Sequence, residues 1–284
     1  MPTLPELCAA HLADVLTRHK YSESSSYVAH CRYFSALWWD RTAASITRQE
    51  VEAWANARKE QRSPATVRHE IAFLKRAYNL GIDAGQVEKN PVCRIKCPLK
   101  PTSRHQWLDP ASEVKMRRAY SQTIGEDGDL LWCVERFAIL TGLRQGEQAH
   151  LKPEHLQGDY LEVPAEGKTG KRTIPLHPEA RAIAELWCEV SAEKGSPYVF
   201  WPDKKRGRAQ AATYHSRHVW APARAVAGLK FQRRDLRRTF GSRLVQKGVP
   251  IYEVQLLLGH ATTKQTETYC KVELGQLRAS VLLL

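Results

Sequence analysis

Hydrophobic residues recur at helical spacing through the first hundred residues. In the first segment the apolar positions run from Leu4 to Leu16 at intervals of mostly three or four residues. A second stretch, over about residues 24–39, repeats the same stripe. Because an α-helix has 3.6 residues per turn, this periodicity predicts amphipathic helices that pack into one helical unit.

Two helix starts in this half carry recognisable capping signals. Thr47 and Glu50 stand three residues apart, as in a capping box. Ser63-Pro64 combines an N-cap residue with proline at the first helical position. The second signal predicts a long helix that ends near Gly85.

The remainder of the chain has a mixed pattern. An apolar helix is predicted at about 130–140, and alternation at 160–163 and 172–176 predicts two strands around a turn. The pattern then returns to helical periodicity, at about 180–190, 214–227, 235–246 and 252–258. The expected fold is therefore mainly α with a small antiparallel β-sheet.

A polar, proline-containing stretch separates the two halves. Residues 97–106 contain two prolines and no acidic residue, which is typical of an extended linker. We therefore expect a helical domain at 1–97, a linker at 98–106 and a mixed domain at 107–284.

Composition adds a polyanionic partner to this picture. The 284 residues include 43 Lys and Arg against 30 Asp and Glu, a formal net charge of +13. Nucleic acid is the leading candidate and an anionic membrane surface the second. No run approaches the roughly 18–20 apolar residues that span a bilayer, and the first residues do not resemble a secretion signal. The seven cysteines are scattered without a Cys-x-x-Cys pair, so neither a disulfide framework nor a metal site is expected.

Several basic and polar residues stand at the ends of predicted elements. Such a set of fixed cations could stabilise the charge of a phosphoryl transition state, while a tyrosine serves as nucleophile and a lysine as acid. Taken one at a time, each is more often a surface or packing residue. The set comprises Arg144, Glu147, Lys168, Arg234, Arg237, His260 and Tyr269.

Together these positions resemble one family. The strings TGLRQGE at 141–147, KTGKR at 168–172, RDLRRTF at 234–240 and LLGH at 257–260, with Tyr269 nine residues after His260, resemble the tyrosine recombinases of the phage-integrase type. Residues 63–78 and 90–92 are similar to the helical core-binding domain of that family. The resemblance implies an N-terminal SAM-like core-binding domain followed by a mixed α+β catalytic domain.

The resemblance also implies a role for each residue. Tyr269 would attack a DNA phosphodiester to form a 3′-phosphotyrosine, and Lys168 would protonate the leaving 5′ oxygen. Arg144 and Arg237 would clamp the phosphate, His260 would hydrogen-bond it, and Glu147 would support Arg144. No metal and no nucleotide cofactor is expected.

The implied partners are double-stranded DNA core sites, copies of the same chain in a tetramer on DNA, and accessory DNA-bending or directionality proteins. The expected location is the bacterial or phage-infected cytoplasm, in association with the nucleoid, and no membrane contact is expected. Residues expected to contact DNA are Arg68, Lys75, Arg76, Lys171, Arg172, Lys204, Lys205, Arg206, Arg208, Arg233 and Arg238.

Two departures from the family pattern keep alternatives open. Arg234 stands where the family usually has histidine, and an arginine remains protonated, so it cannot act as an ordinary base. The core-binding pattern begins almost at Met1, so the sequence indicates either a simple two-domain recombinase or one truncated before its core-binding domain. The alternatives are DNA relaxation of the type IB topoisomerase kind, and a catalytically weak DNA-binding regulator derived from a recombinase.

Overall fold

The chain divides into two units, residues 1–103 and 104–284, and each is described by itself. The structure is a computed structural model that describes residues 1–18, 21–96, 106–164, 171–201 and 208–267. The predicted linker at 98–106 lies outside these residues except for Gln106. Among the described residues, no helix has the length and apolar character needed to cross a membrane.

Four α-helices form the described part of the N-terminal unit, and two of them start at the predicted capping signals. The Thr47 hydroxyl accepts the Glu50 backbone N–H at 3.3 Å, and the Glu50 carboxylate accepts the Thr47 backbone N–H at 2.7 Å. Ser63 caps the last helix by accepting the Thr66 backbone N–H at 3.3 Å. Both predicted starts are confirmed. The helices are α1 (Leu4–Arg18), α2 (Tyr21–Leu37), α3 (Arg48–Gln61) and α4 (Pro64–Asp83).

The core of this unit lies along one face of α4. Its buried stripe is Val67, Ile71, Leu74 and Tyr78. The Tyr78 hydroxyl donates to the Ala43 carbonyl at 2.9 Å, so its polar end is satisfied inside the core. Arg58 and Glu70 form a two-bond ion pair at 2.9 and 2.7 Å, with little exposed surface on either side chain.

The C-terminal unit consists mainly of helices around a three-stranded sheet, so the predicted fold class is confirmed. Its strands are β1 (Leu156–Gln157), β2 (Tyr160–Val163) and β3 (Arg172–Pro175). Its first helices are α5 (Pro110–Ile124), α6 (Gly128–Thr141), α7 (Gln145–Ala149) and α8 (Pro178–Glu193). The later helices are α9 (Arg208–His215), α10 (Ala221–Val226), α11 (Asp235–Gln246), α12 (Ile251–Leu258) and α13 (Thr263–Thr266).

The sheet is antiparallel in the order β1-β2-β3. Leu161 of β2 pairs with Leu156 on one side and with Ile174 on the other, and both Leu161 and Ile174 are buried. Strand β1 was not predicted, because two residues are too short to show an alternating pattern. Successive side chains in a strand point to opposite faces, so Arg172 shares the inward face with Ile174.

The helix predicted at 214–227 differs in the structure. It begins at Arg208, continues as a π-helical segment over Ser216–Trp220, and resumes as α10. Pro222, at the start of α10, has no backbone N–H for an α-type bond, which accounts for a break in the regular ladder near this point.

Helix α6 runs through the middle of the C-terminal unit. Val134 and Phe137 pack with the sheet and α8, whereas Trp132 and Ile139 belong to a second cluster with α5 and α11. Because both sides of α6 are covered, its Glu135 is fully buried. The helix ends at Gly142, whose φ of 64° is in the left-handed region.

Gly142→Ala is expected to destabilise the fold by about 2–4 kcal/mol, since it combines a left-handed alanine with steric overlap. An added Cβ would lie 2.4 Å from the Phe240 ring. Gly158→Ala is the matched control, because its φ is +61° and nothing lies within 4 Å of the added carbon. Urea unfolding of both variants measures the difference, and equal losses would show that contact with Phe240 is not limiting.

Candidate active site

Glu147 is the centre of a charged cluster in the C-terminal unit. It is the third residue of the short helix α7, and its carboxylate accepts the Arg144 backbone N–H at 2.9 Å. This single bond turns the carboxylate back toward the start of the helix. The side chain is only 2% exposed, so its negative charge depends on neighbouring donors.

Three guanidinium groups surround this carboxylate. Arg172 donates two bonds to Glu147, at 3.1 and 2.9 Å, and Arg144 donates one at 3.0 Å. A guanidinium nitrogen of Arg237 lies 3.7 Å from the same carboxylate. Among the described residues, three guanidinium groups face this one carboxylate, an arrangement that favours binding of a further anion.

Two of these arginines also bind the carboxyl ends of helices. Arg237 donates to the Gly142 carbonyl at 2.9 Å and to the Leu258 carbonyl. The Nε of Arg172 donates to the Leu257 carbonyl at 3.2 Å. Because the C-terminus of a helix carries partial negative charge, these bonds stabilise the cations and fix their orientation.

His260 follows the end of α12 and lies in the field of the arginine cluster. Gly259 ends the helix with a φ of 62°, and the next residue is His260. Its Nδ1 forms a 2.9 Å hydrogen bond with the buried Thr266 hydroxyl. Burial, together with the positive charges of Arg237, Arg144 and Arg172, lowers the pKa of His260 to about 4. The imidazole is therefore neutral at pH 7.

The structure brings together four of the seven residues predicted for the active site, namely Arg144, Glu147, Arg237 and His260. Arg234 lies just before α11 and is exposed, whereas Arg237 in the first turn is buried, so the two arginines do not share an environment. Lys168 and Tyr269 lie outside the described residues. Their predicted roles remain predictions.

Arg172 belongs to the cluster, although the sequence reasoning placed it on the DNA-contacting surface. Its side chain is 9% exposed and is fully engaged with Glu147 and α12. The strand pattern carried a usable signal, because a residue two positions before the apolar Ile174 faces the same side of the sheet.

Arg233 requires a correction. It was predicted as a DNA contact, but the structure buries it inside the unit on the carboxylate of Glu135, at 2.8 and 3.1 Å. Its guanidinium also lies 5.0 Å from the centre of the Trp201 ring. A guanidinium held in this way is a structural group and not a surface phosphate contact.

The other predicted DNA contacts occupy several positions. Lys75 and Arg76 are exposed on α4 of the N-terminal unit, and Arg68 is half-buried on the same helix. Lys171 pairs with Glu162 at 3.2 Å, and Arg238 pairs with Asp235 at 3.0 Å. Outside the described residues lie Lys204, Lys205, Arg206 and the side chain of Arg208.

Comparison with known families identifies the chain. The model of the phage integrase family matches residues 122–274, which is more than half of the sequence and includes the whole charged cluster. This chain belongs to the phage integrase family. The predicted family is confirmed.

Individual relatives agree with this assignment. The integrase is 26% identical over 231 residues to the tyrosine recombinase XerD of Listeria innocua serovar 6a, covering 77% of this chain and 75% of the relative. Its fold is similar to a lambda integrase tetramer bound to a Holliday junction, with a TM-score of 0.75, 22% identity and coverage of 94% and 77% of the two chains. It is also similar to the Tn1549 transposon integrase in complex with circular intermediate DNA, with a TM-score of 0.78, 19% identity and 99% coverage of both chains.

Family membership and the Xer relative confirm the predicted activity class. The integrase is a site-specific recombinase of the tyrosine type. Neither topoisomerase-like relaxation nor a purely regulatory role is favoured by these relatives.

The low pKa of His260 has a direct spectroscopic consequence. Its ring resonances should show a midpoint near pH 4, whereas an exposed histidine should titrate near its ordinary pKa of about 6.5. The folded chain then binds fewer protons than the unfolded chain between these values, so this group lowers stability as the pH falls from 6.5 toward 4. NMR titration with a His260→Gln assignment control measures the midpoint, and a value above 6 would contradict the described environment.

Proposed function

We propose that this recombinase cleaves one DNA strand by attack of the Tyr269 oxygen on a phosphodiester held in the arginine cluster. The new bond joins the tyrosine oxygen to phosphorus, and the bond between phosphorus and the 5′ oxygen breaks. Lys168 donates the proton that the leaving oxygen needs. Attack by the 5′-hydroxyl of a second strand reverses these steps and releases the tyrosine.

The observation that carries this proposal is the placement of three guanidinium groups around Glu147. Arg144 and Arg237 are held near the same carboxylate, at 3.0 and 3.7 Å. A phosphodiester that becomes a phosphorane gains negative charge on its nonbridging oxygens. Preoriented guanidiniums stabilise this charge without reorganisation during the reaction, and loss of one such group typically costs on the order of 100- to 1,000-fold in rate.

His260 supplies a neutral hydrogen-bond donor to the same phosphate. If the Thr266 hydroxyl donates to Nδ1, the proton of the neutral imidazole resides on Nε2. Because the pKa of about 4 keeps the ring uncharged at neutral pH, this Nε2 proton is the one that we propose donates to the phosphate. In this arrangement His260 contributes a hydrogen bond without charge, and the arginines contribute the positive charge.

Arg234 has an electrostatic role in this proposal. A guanidinium remains protonated at any working pH, so it does not accept the Tyr269 proton. It is exposed in the described structure and one residue away from the buried end of α11. Its charge favours the phenolate form of the nucleophile, and the proton leaves to solvent or to the phosphate.

Recombination itself requires more than one copy of the chain. We propose that the exposed basic side chains of Lys75 and Arg76 on α4 bind the DNA backbone. We also propose that four copies of the chain act on two core sites, together with accessory DNA-bending proteins. The similarity to a lambda integrase tetramer bound to a Holliday junction supports this assembly. The protein would act at the nucleoid, where such sites are found.

Tyr269→Phe should abolish covalent attachment to a nicked core-site substrate, since phenylalanine has no nucleophilic oxygen. The wild-type chain should give a protein–DNA adduct on a denaturing gel. Tyr252→Phe is the matched control, because Tyr252 is a 60% exposed tyrosine on α12 and should leave the adduct unchanged. An adduct of undiminished yield in Tyr269→Phe would exclude this nucleophile.

Arg234→His distinguishes a cation from a base at this position. If charge is required, the cleavage rate relative to wild type should increase as the pH falls below about 6.5, where histidine gains its proton. Arg234→Lys should retain most of the rate, and Arg234→Met should lose about 100-fold. Single-turnover cleavage from pH 5.5 to 8.5 measures these ratios, and a relative rate that rises with pH would instead indicate a base.

A further inference from the structure

A second buried carboxylate lies near the active-site cluster, on Glu135 of α6. Its side chain is fully buried, and it accepts hydrogen bonds from Arg233 at 2.8 and 3.1 Å and from the Tyr120 hydroxyl at 3.1 Å. Its Oε1 also lies 2.5 Å from Nε2 of His215. Burial opposes ionisation, but the neighbouring charge of Arg233 and the bond to His215 keep the pKa of Glu135 below its usual range. One carboxylate therefore joins side chains from α5, α9 and the segment before α11.

Arg233 extends this network to α7. Its second guanidinium nitrogen donates to the Gln148 side-chain oxygen at 2.8 Å. The Gln148 amide nitrogen donates to the Val134 carbonyl at 2.8 Å, so both ends of this fully buried amide are used. The backbone N–H of Gln148 donates to the Arg144 carbonyl at 2.9 Å.

These contacts connect the two chain segments that carry the phosphate-binding arginines. Gln148 directly follows Glu147 and is bonded to the backbone of Arg144. Arg233 lies one turn before Arg237, and its carbonyl accepts the Leu236 backbone N–H at 3.1 Å, so its position determines where α11 begins. A shift of Arg233 would therefore move Arg144 and Arg237 relative to each other.

We propose that Glu135 and Arg233 are positioning residues for strand cleavage, which hold α7 and α11 in the mutual register that a scissile phosphate requires. This inference rests on the proposed function of Arg144 and Arg237. The pair touches no reacting atom. It acts through Gln148 on one side and through the first turn of α11 on the other.

A purely stabilising role makes a different prediction. A buried ion pair often contributes little net stability, so replacing both members with neutral groups of similar volume can restore most of the stability that a single replacement removes. If stability were the only role, such a double replacement would restore the cleavage rate as well. If positioning is the role, the rate stays low, because the link from Arg233 to Gln148 is still absent.

The test measures the first-order rate of adduct formation at saturating nicked core DNA, together with the DNA dissociation constant and the unfolding free energy. Glu135→Gln and Arg233→Met should each reduce the rate about 10- to 100-fold, the size expected from small misplacement of catalytic groups. Compared with the single variants, the Glu135→Gln/Arg233→Met double variant should regain unfolding free energy but should not regain the rate of adduct formation. Gln148→Met should lower the rate with the Glu135–Arg233 pair intact, which keeps the test decisive if the double variant does not fold.

The chain offers a matched control in the other unit. Arg58 and Glu70 form an ion pair with little exposed surface, in which two guanidinium nitrogens donate to the two carboxylate oxygens, and the pair is remote in sequence from the cluster. Glu70→Gln should lower stability while leaving the rate at saturating DNA unchanged. Variants of Glu135, Arg233 and Gln148 that retain the wild-type rate would overturn the positioning role. Absence of an adduct with the wild-type chain would instead overturn the proposed function.

Discussion

Burial of carboxylates among arginines is the constraint on which the catalytic unit depends. Glu147 and Glu135 are removed from water, and each has an ionised partner in hydrogen-bond contact. An unpaired carboxylate in such a position would cost several kcal/mol, so the arginines must stay in place for the unit to fold. The same requirement prepares the site for chemistry, because guanidiniums held by the fold need not be ordered again when a phosphate arrives.

The buried arginines fall into two groups, according to whether they contact Glu147 or Glu135. Around Glu147 three described guanidinium groups face one carboxylate, and these are the groups that we propose hold the phosphate. Arg233 forms an ion pair with the buried Glu135 carboxylate and a cation–π contact with the Trp201 ring, so its charge is compensated within the protein. The adjacent residues Arg233 and Arg234 therefore differ sharply in environment. A count of basic residues overstates the charge that this surface offers to DNA.

Local signals in the sequence predicted much of the fold. Capping at Thr47 and Ser63 and the alternation in β2 and β3 depend on neighbours within a few residues, so they are readable from the chain. The partners of Arg233 and Arg172 are not readable in this way, because Glu135 and Glu147 are distant in sequence. The π-helical segment was missed for a related reason, since periodicity over a few residues does not separate it from an α-helix.

The contacts of Arg237 have a consequence for the evolution of recombinases of this kind that lose their activity. Its guanidinium donates hydrogen bonds to carbonyls at the C-terminal ends of both α6 and α12. The single ammonium group of a lysine cannot reproduce this geometry. A descendant that lost its nucleophile would still need this arginine in order to fold. Persistence of the arginine in a diverged copy would therefore be evidence of the architecture and not, by itself, of the activity.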